Sequence, residues 1–272
     1  IPTKKELNLI DKDNCHEYVL KNKPNWVINS GAYTNVDKAE SEKELVLRIN
    51  AEAPEVLAKA LLKTNGKLLQ ISTDYVFDGN QSVPYRTDQN YSPINFYGKS
   101  KANAEEMLSE ILSKENQLCI LRTSWLMSSI GNNFANKILK LLEERKEIKV
   151  VYDQVGSPTS IHSLAKVIWR TIEINNTFSL KGKIFPKILQ FSDDGIASWY
   201  DVAVAIDEIG KEIGLINKSA NILPIESISY KTAALRPSYS VLDTNPTKEI
   251  LGIKGIHWKK SLLHILNTKL NS

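Results

Sequence analysis

Three short apolar runs, each ending in small or hydroxyl residues, restrict this chain more than any other feature. They are Trp26-Val-Ile-Asn-Ser-Gly31, Lys67-Leu-Leu-Gln-Ile-Ser-Thr73 and Leu118-Cys-Ile-Leu-Arg-Thr-Ser124. Runs of this length with little polar alternation read as strands buried on both faces, and parallel strands of that kind need helical crossovers. The intervening segments supply them. After the first run, Ser41-x-x-Glu44 predicts a capping box. Val46, Ile49, Ala53, Leu57 and Ala60 then recur at helical spacing, with Pro54 as a kink. After the second run, a loop rich in Gly, Asn and Pro covers 78–93 and a long helix follows over about 93–113. Alternating strand and helix of this kind predicts an α/β fold with a doubly wound parallel sheet. Beyond residue 150 the pattern loosens into helices near 161–175, 198–213 and 259–269 and short strands near 184–191 and 220–224, a smaller region on the sheet's carboxyl edge.

Composition narrows the function classes. The 272 residues, 42% hydrophobic and 24% charged, suffice for one large α/β domain or two modest ones. No apolar stretch approaches the roughly 18 residues of a membrane span. Cys15 and Cys119 lie far apart without metal-ligand spacing, so a reducing, cytoplasmic setting is expected. The net charge is +4, but the lysines are scattered and often beside Glu, as at 140–146, which reads as solvated surface and not a nucleic-acid stripe. His16, His162, His257 and His264 are dispersed, so no metal site is predicted. The adjacent pairs Glu105-Glu106, Glu143-Glu144 and Asp193-Asp194 read as solvated faces.

On the helix from Pro93, the residues Ile94, Tyr97, Lys101, Ala104, Leu108 and Ile111 form one stripe, in which Lys101 is the misfit. Tyr97 and Lys101 are four apart and neighbours on one face. An ammonium beside a phenol lowers its pKa and suits it to act as a general acid. Thr73 ends the preceding strand, where open α/β sheets bind ligands. Hydroxyl, phenol and cation at one crevice suit carbonyl reduction. The same three residues are equally read as a strand-end cap, a core aromatic and a snorkelling lysine.

The segments ISTDYVFDG (71–79) and YGKSKANAE (97–105), with NSGAYTNVDKAESE (29–42), LRTSWL (121–126), GNNFANKIL (131–139), DQVGSPTS (153–160) and LRPSYSVLDT (235–244), resemble the extended short-chain dehydrogenase/reductases. Within them they resemble the dTDP-4-dehydrorhamnose reductase family, over nearly the whole chain. The resemblance implies a Rossmann-like sheet in which 1–150 is an incomplete NAD(P)-binding domain. Residues 151–272 then form mainly the substrate region, with some elements returning to the sheet. It implies reduction of the 4-keto group of a dTDP-6-deoxy sugar with NADPH or NADH, in the nucleotide-sugar supply for cell-surface polysaccharide. Thr73, Tyr97 and Lys101 match the catalytic residues; Leu9, Gly31, Ala32, Tyr33 and Thr34, with Tyr97 and Lys101, match cofactor contacts. Thr73, Asp74, Trp125 and Arg236 match the substrate region, with Arg236 as a partner for a diphosphate. Asn8 stands where an acidic residue usually meets adenine. A dTDP-sugar is the implied partner; a homodimer is one assembly open to it, the oligomeric state not being given by the sequence, and magnesium, used by some relatives, is not established by it either.

Other readings remain open at this point. One is a non-catalytic dinucleotide-binding regulatory subunit like the methionine adenosyltransferase β-subunit, which has no need of all three catalytic residues. Another is a nucleotide-sugar epimerase or dehydratase, which Asp74 followed by Tyr75 does not settle. One departure stands out: the 12 glycines contain no G-x-G-x-x-G or G-x-x-G-x-x-G. The opening Ile1 to Asp11 resembles the strand that the family places two strands later. About 30 to 40 residues, the size of a strand–helix unit, are therefore expected to precede residue 1. The chain as written is then expected to be truncated, or an inactive product with an unpaired buried edge on the 26–30 strand.

Overall fold

The computed structural model describes residues 1–271. In chain order the elements are α1 (Lys12–Asn22), β1 (Trp26–Asn29), α2 (Val36–Ala39), α3 (Lys43–Leu47), α4 (Ala53–Thr64), β2 (Lys67–Thr73), α5 (Phe96–Ile111), β3 (Leu118–Thr123), β4 (Leu126–Met127), α6 (Phe134–Glu144), β5 (Glu147–Val151), β6 (Val155–Gly156), β7 (Thr159–Ser160), α7 (Ile161–Leu180), β8 (Ile188–Gln190), β9 (Ala197–Ser198), α8 (Trp199–Glu212), β10 (Asn221–Ile225), α9 (Asn245–Leu251) and α10 (Trp258–Leu270). The four main strands are all parallel, in the order β1-β2-β3-β8.

The strands alternate their side chains between two helical layers, which is why they read as continuous apolar runs. Leu68, Leu118 and Ile120 pack with Cys15, Val19, Leu57, Leu61 and Leu108 of α1, α4 and α5. Leu69, Cys119 and Leu121 face the other way, onto Leu164 and Val167 of α7 and Leu251 of α9. The sheet is therefore doubly wound. A second core lies beside it, where β5 pairs with β10 under α6, α8 and α10 and buries Leu142, Val202, Ile206, Leu262 and Leu266.

Three local expectations are corrected. Residues 1–11 form turns and not a strand, with Leu7 N–H donating to the Thr3 carbonyl and Asp11 N–H to that of Asn8. They lead into α1, a polar helix capped by Asp11 that buries only Cys15 and Val19. Ser41 caps no helix. Asn35 caps α2 by accepting from Lys38 N–H, and α3 starts at Lys43 with no side-chain cap. Pro54 does not kink a continuous helix: Arg48–Glu52 form a π turn, and Pro54 stands in the first turn of α4, where its missing N–H costs nothing. β1 is the sheet edge, bonded to β2 alone among the described residues.

Candidate active site

The carboxyl end of β2 and the first half of α5 meet through three successive strand residues. The Ile71 carbonyl accepts from Lys101 Nζ at 2.7 Å. The Ser72 hydroxyl donates to Glu105, and the Thr73 hydroxyl, which donates to Asp74 Oδ1 at 3.0 Å, lies near the Tyr97 phenol. Tyr97, Lys101 and Glu105 are spaced by four and so share one helix face. The helix can approach because Gly98 lies against the Tyr75 carbonyl: a Cβ there would fall 2.1 Å from that oxygen. Asn95 caps α5, accepting from Gly98 N–H at 2.8 Å. Ile94 thus lies before the helix and outside the expected stripe.

Electrostatics correct one part of the expected chemistry. Burial pushes Tyr97 up to about 12, offset in part by Thr73, and the nearby Asp74 charge pushes it further. Lys101 is itself driven down to about 8 by burial, with Glu105 opposing, and its ammonium faces the Ile71 carbonyl. The phenol is therefore held in its acid form and not turned into a phenolate by the lysine. Burial raises Asp74 to about 6, opposed by the nearby Ser240 and Thr73 hydroxyls, of which Thr73 donates to it at 3.0 Å.

Glu105 is not on a solvated face. Neither it nor Arg122 of β3 is more than 1% exposed at the side chain, and Arg122 Nη2 meets Glu105 Oε2 at 2.8 Å. Arg122 Nε donates to the same carboxylate at 3.0 Å, and Tyr91 OH at 3.1 Å. Asp193 is likewise buried, accepting from Ser160 N–H at 2.9 Å, while Asp194 pairs with Lys248. Adjacency in sequence predicted divergence; partners on neighbouring elements removed these groups from water.

A cavity of about 460 Å³ is lined among others by Asp37, Phe134, Lys137, Trp199, Tyr230 and Arg236; Thr73, Tyr97 and Lys101 do not line it, and the Asn95 cap of α5 touches its wall at the Leu235 carbonyl. Its aromatic wall continues into Trp125, whose indole stacks on Trp199 with ring centres 3.5 Å apart. Trp125 has φ +46, a conformation rarely taken by bulky residues. Gly156 gives it room, since a Cβ there would lie 2.6 Å from the indole and 2.8 Å from Ser240 Oγ. Ser240 lies close to Asp74, and Asp74 Oδ1 accepts from the Thr73 hydroxyl at 3.0 Å, so the Trp125 side of the cavity wall approaches the carboxyl end of β2. Arg236 is engaged by Asp37, Nη2 to Oδ2 at 2.7 Å and Nη1 to Oδ1 at 3.1 Å. The fork expected to grip a diphosphate thus holds a carboxylate.

The family model described as the RmlD substrate binding domain matches residues 1–271. The dTDP-4-dehydrorhamnose reductase of Aggregatibacter actinomycetemcomitans is 35% identical over 260 residues, covering 96% of this chain and 86% of that protein. The chain belongs to the dTDP-4-dehydrorhamnose reductase family.

Solved members of the family superpose closely. The Clostridium acetobutylicum ATCC 824 ortholog has a TM-score of 0.89 at 33% identity, covering 100% of this chain and 90% of its own. The Bacillus anthracis reductase, determined in complex with NADP, has a TM-score of 0.86 at 33% identity over 98% and 89%. As a reductase-family chain, this one brings Leu9 over Gly31 at the carboxyl end of β1 and leaves Gly31 and Thr34 exposed there. Tyr33 N–H is held by the Asn50 side chain at 2.8 Å, and Asn50 Nδ2 bonds Ser100 of α5 at 3.0 Å, tying this loop to the Tyr97 helix. The exposed loop backbone and the buried Lys101 fit the ribose and nicotinamide end of a dinucleotide. No glycine-rich fingerprint for its diphosphate occurs in these 272 residues. Among the described residues, no cluster of three or more His, Cys, Asp or Glu is placed to hold a metal ion.

Asn95, Asp37, Glu105 and Arg122 were not read from the sequence as site residues. Asn95 alone carried a local signal, an N-cap amide before the helix.

Proposed function

We propose that this chain reduces the 4-keto group of dTDP-4-dehydro-L-rhamnose to give dTDP-L-rhamnose, with NADPH or NADH. The observation that carries the reading is the approach of Thr73, Tyr97 and Lys101 to one another at the carboxyl end of β2, in a reductase-family chain. When bound, the nicotinamide supplies a hydride to the ketone carbon. Tyr97 donates its phenolic proton to the oxygen as negative charge develops there; a phenol at about 12 is fully protonated at neutral pH and ready to act as the acid. Thr73 orients the ketone oxygen by a hydrogen bond, and Lys101 holds the cofactor ribose.

Leu9 and residues 31–34 line the cofactor ribose and phosphate path, while Asp74, Trp125 and Arg236 face the sugar nucleotide. Asn8, which stands where an acidic residue usually meets adenine, accepts from Ile10 N–H at 3.3 Å through its side-chain oxygen. Residues 1–150 carry the dinucleotide and 151–272 mainly the nucleotide sugar, with Trp125 and Phe134 crossing into the second region. The reading places the enzyme in the cytoplasm, in keeping with two buried free cysteines; no helix among the described residues is long and apolar enough to cross a membrane. A homodimer is the expected assembly, and a 30.6 kDa particle in sedimentation would overturn it.

The test follows NAD(P)H oxidation with dTDP-4-dehydro-L-rhamnose and identifies the product. Formation of dTDP-L-rhamnose with stoichiometric oxidation supports the reading. Dinucleotide and dTDP binding without turnover would instead favour a regulatory subunit.

A further inference from the structure

The wall of the cavity formed by residues 227–236 is not held by its own packing. Ile228, Tyr230 and Leu235 are exposed, and Ala234 is the small apolar side chain that the segment buries. Polar contacts anchor it instead. Ser227 N–H and hydroxyl both donate to Asp153, at 2.8 and 2.9 Å. Asn95, the cap of the Tyr97 helix, donates to the Leu235 carbonyl at 2.8 Å. Between these points the segment closes on Asp37, whose Oδ1 accepts from Ala234 N–H at 3.1 Å and whose carboxylate takes the Arg236 fork. Arg236 Nη1 also donates back to the Ala234 carbonyl at 3.2 Å. Asp37 belongs to α2, directly after the loop 31–35 that leaves β1.

We propose that Asp37 is a positioning residue for nucleotide-sugar binding, holding Arg236 and the 232–236 wall in the place that the substrate needs. This rests on the function proposed above and names a residue of the same site. A guanidinium has five N–H donors, and a bidentate carboxylate occupies two of them while fixing the plane of the rest. Asp37 therefore orients Arg236 and leaves donors for an anionic or carbonyl group in the cavity. A pair with side chains 22% and 40% exposed contributes little to global stability. Its loss should be felt in binding, where Arg236 and the wall would be free to wander. Asp37 is held below the ordinary carboxylate range, chiefly by Arg236, so it keeps its charge at neutral pH.

The experiment compares Asp37→Asn and Asp37→Glu with the wild-type chain, measuring dTDP affinity by calorimetry and KM and kcat separately. Asp37→Asn should weaken dTDP and raise KM about tenfold, the scale of one lost charge-assisted contact, with kcat within about threefold. Asp37→Glu should recover part of the KM, and both variants should melt close to wild type. Unchanged dTDP affinity and KM in Asp37→Asn would overturn the proposal, as would a fall in kcat at constant KM. Failure of the underlying reading looks different: the wild-type chain would then bind no dTDP and turn over no 4-keto sugar, before any variant is compared.

Discussion

Two arginine–carboxylate pairs border the Thr73–Tyr97–Lys101 site, and they share bidentate geometry but not surroundings. Glu105–Arg122 is sealed between α5 and β3, with side chains 0% and 1% exposed. Asp37–Arg236 stands on the wall of a cavity open to ligand. In the interior the charges have no solvent to return to, so each depends on the other for its counter-charge, with the Ser72 and Tyr91 hydroxyls and the Thr87 carbonyl adding hydrogen bonds. At the cavity wall, water can replace either partner, so the pair governs placement more than folding. Burial, not residue type, thus separates scaffold from tool in this molecule.

Breaking the sealed pair is expected to produce the largest effect on stability. Arg122→Leu leaves the Glu105 carboxylate buried without its ion partner and should cost about 3–5 kcal/mol in urea unfolding. Replacing both, with Arg122→Leu and Glu105→Met, should recover much of that loss. If the double variant is as unstable as the single one, the pair is worth more than its own desolvation. Two carboxylates sharpen the contrast through pH. Asp74 is raised from 3.8 to about 6, so the folded state binds the extra proton and stability should fall as pH rises from about 4 to about 6, by about 2–3 kcal/mol. Asp74→Asn should abolish that slope in Tm against pH. Asp37 is lowered, so its contribution has the opposite sign: present above its ordinary pKa and lost as pH falls through the depressed value. The smallest stability effect belongs to Asp37→Asn, less than about 1 kcal/mol at neutral pH; a loss matching that of Arg122→Leu would erase the distinction between the pairs.

The same contrast explains what could be read from the sequence. The strands at β1, β2 and β3 and the spacing of Tyr97 and Lys101 depend on local periodicity, and the structure brings Thr73 to them. The helices α7, α8 and α10 and the strands β8 and β10 also fall where the pattern placed them, although α7 runs on to Leu180 and α9 was not foreseen. Glu105 was misread because its partner, Arg122, is 17 residues away on another element. Asp37 and Arg236 are 199 residues apart, and no local signal links them. The Ser41 box failed because Asn35 caps the earlier turn and the Ser41 hydroxyl donates back to the Lys38 carbonyl at 3.1 Å. The lowered Tyr97 pKa failed because desolvation outweighs a cation that points to a carbonyl.

The central claim is that Tyr97 is the proton donor to a ketone oxygen at the edge of β2. Turnover of Tyr97→Phe with dTDP-4-dehydro-L-rhamnose and NAD(P)H tests it most directly, in preparations whose dTDP affinity matches wild type. Loss of about 10²–10⁴ in kcat is the predicted result. Turnover at the wild-type rate would contradict it.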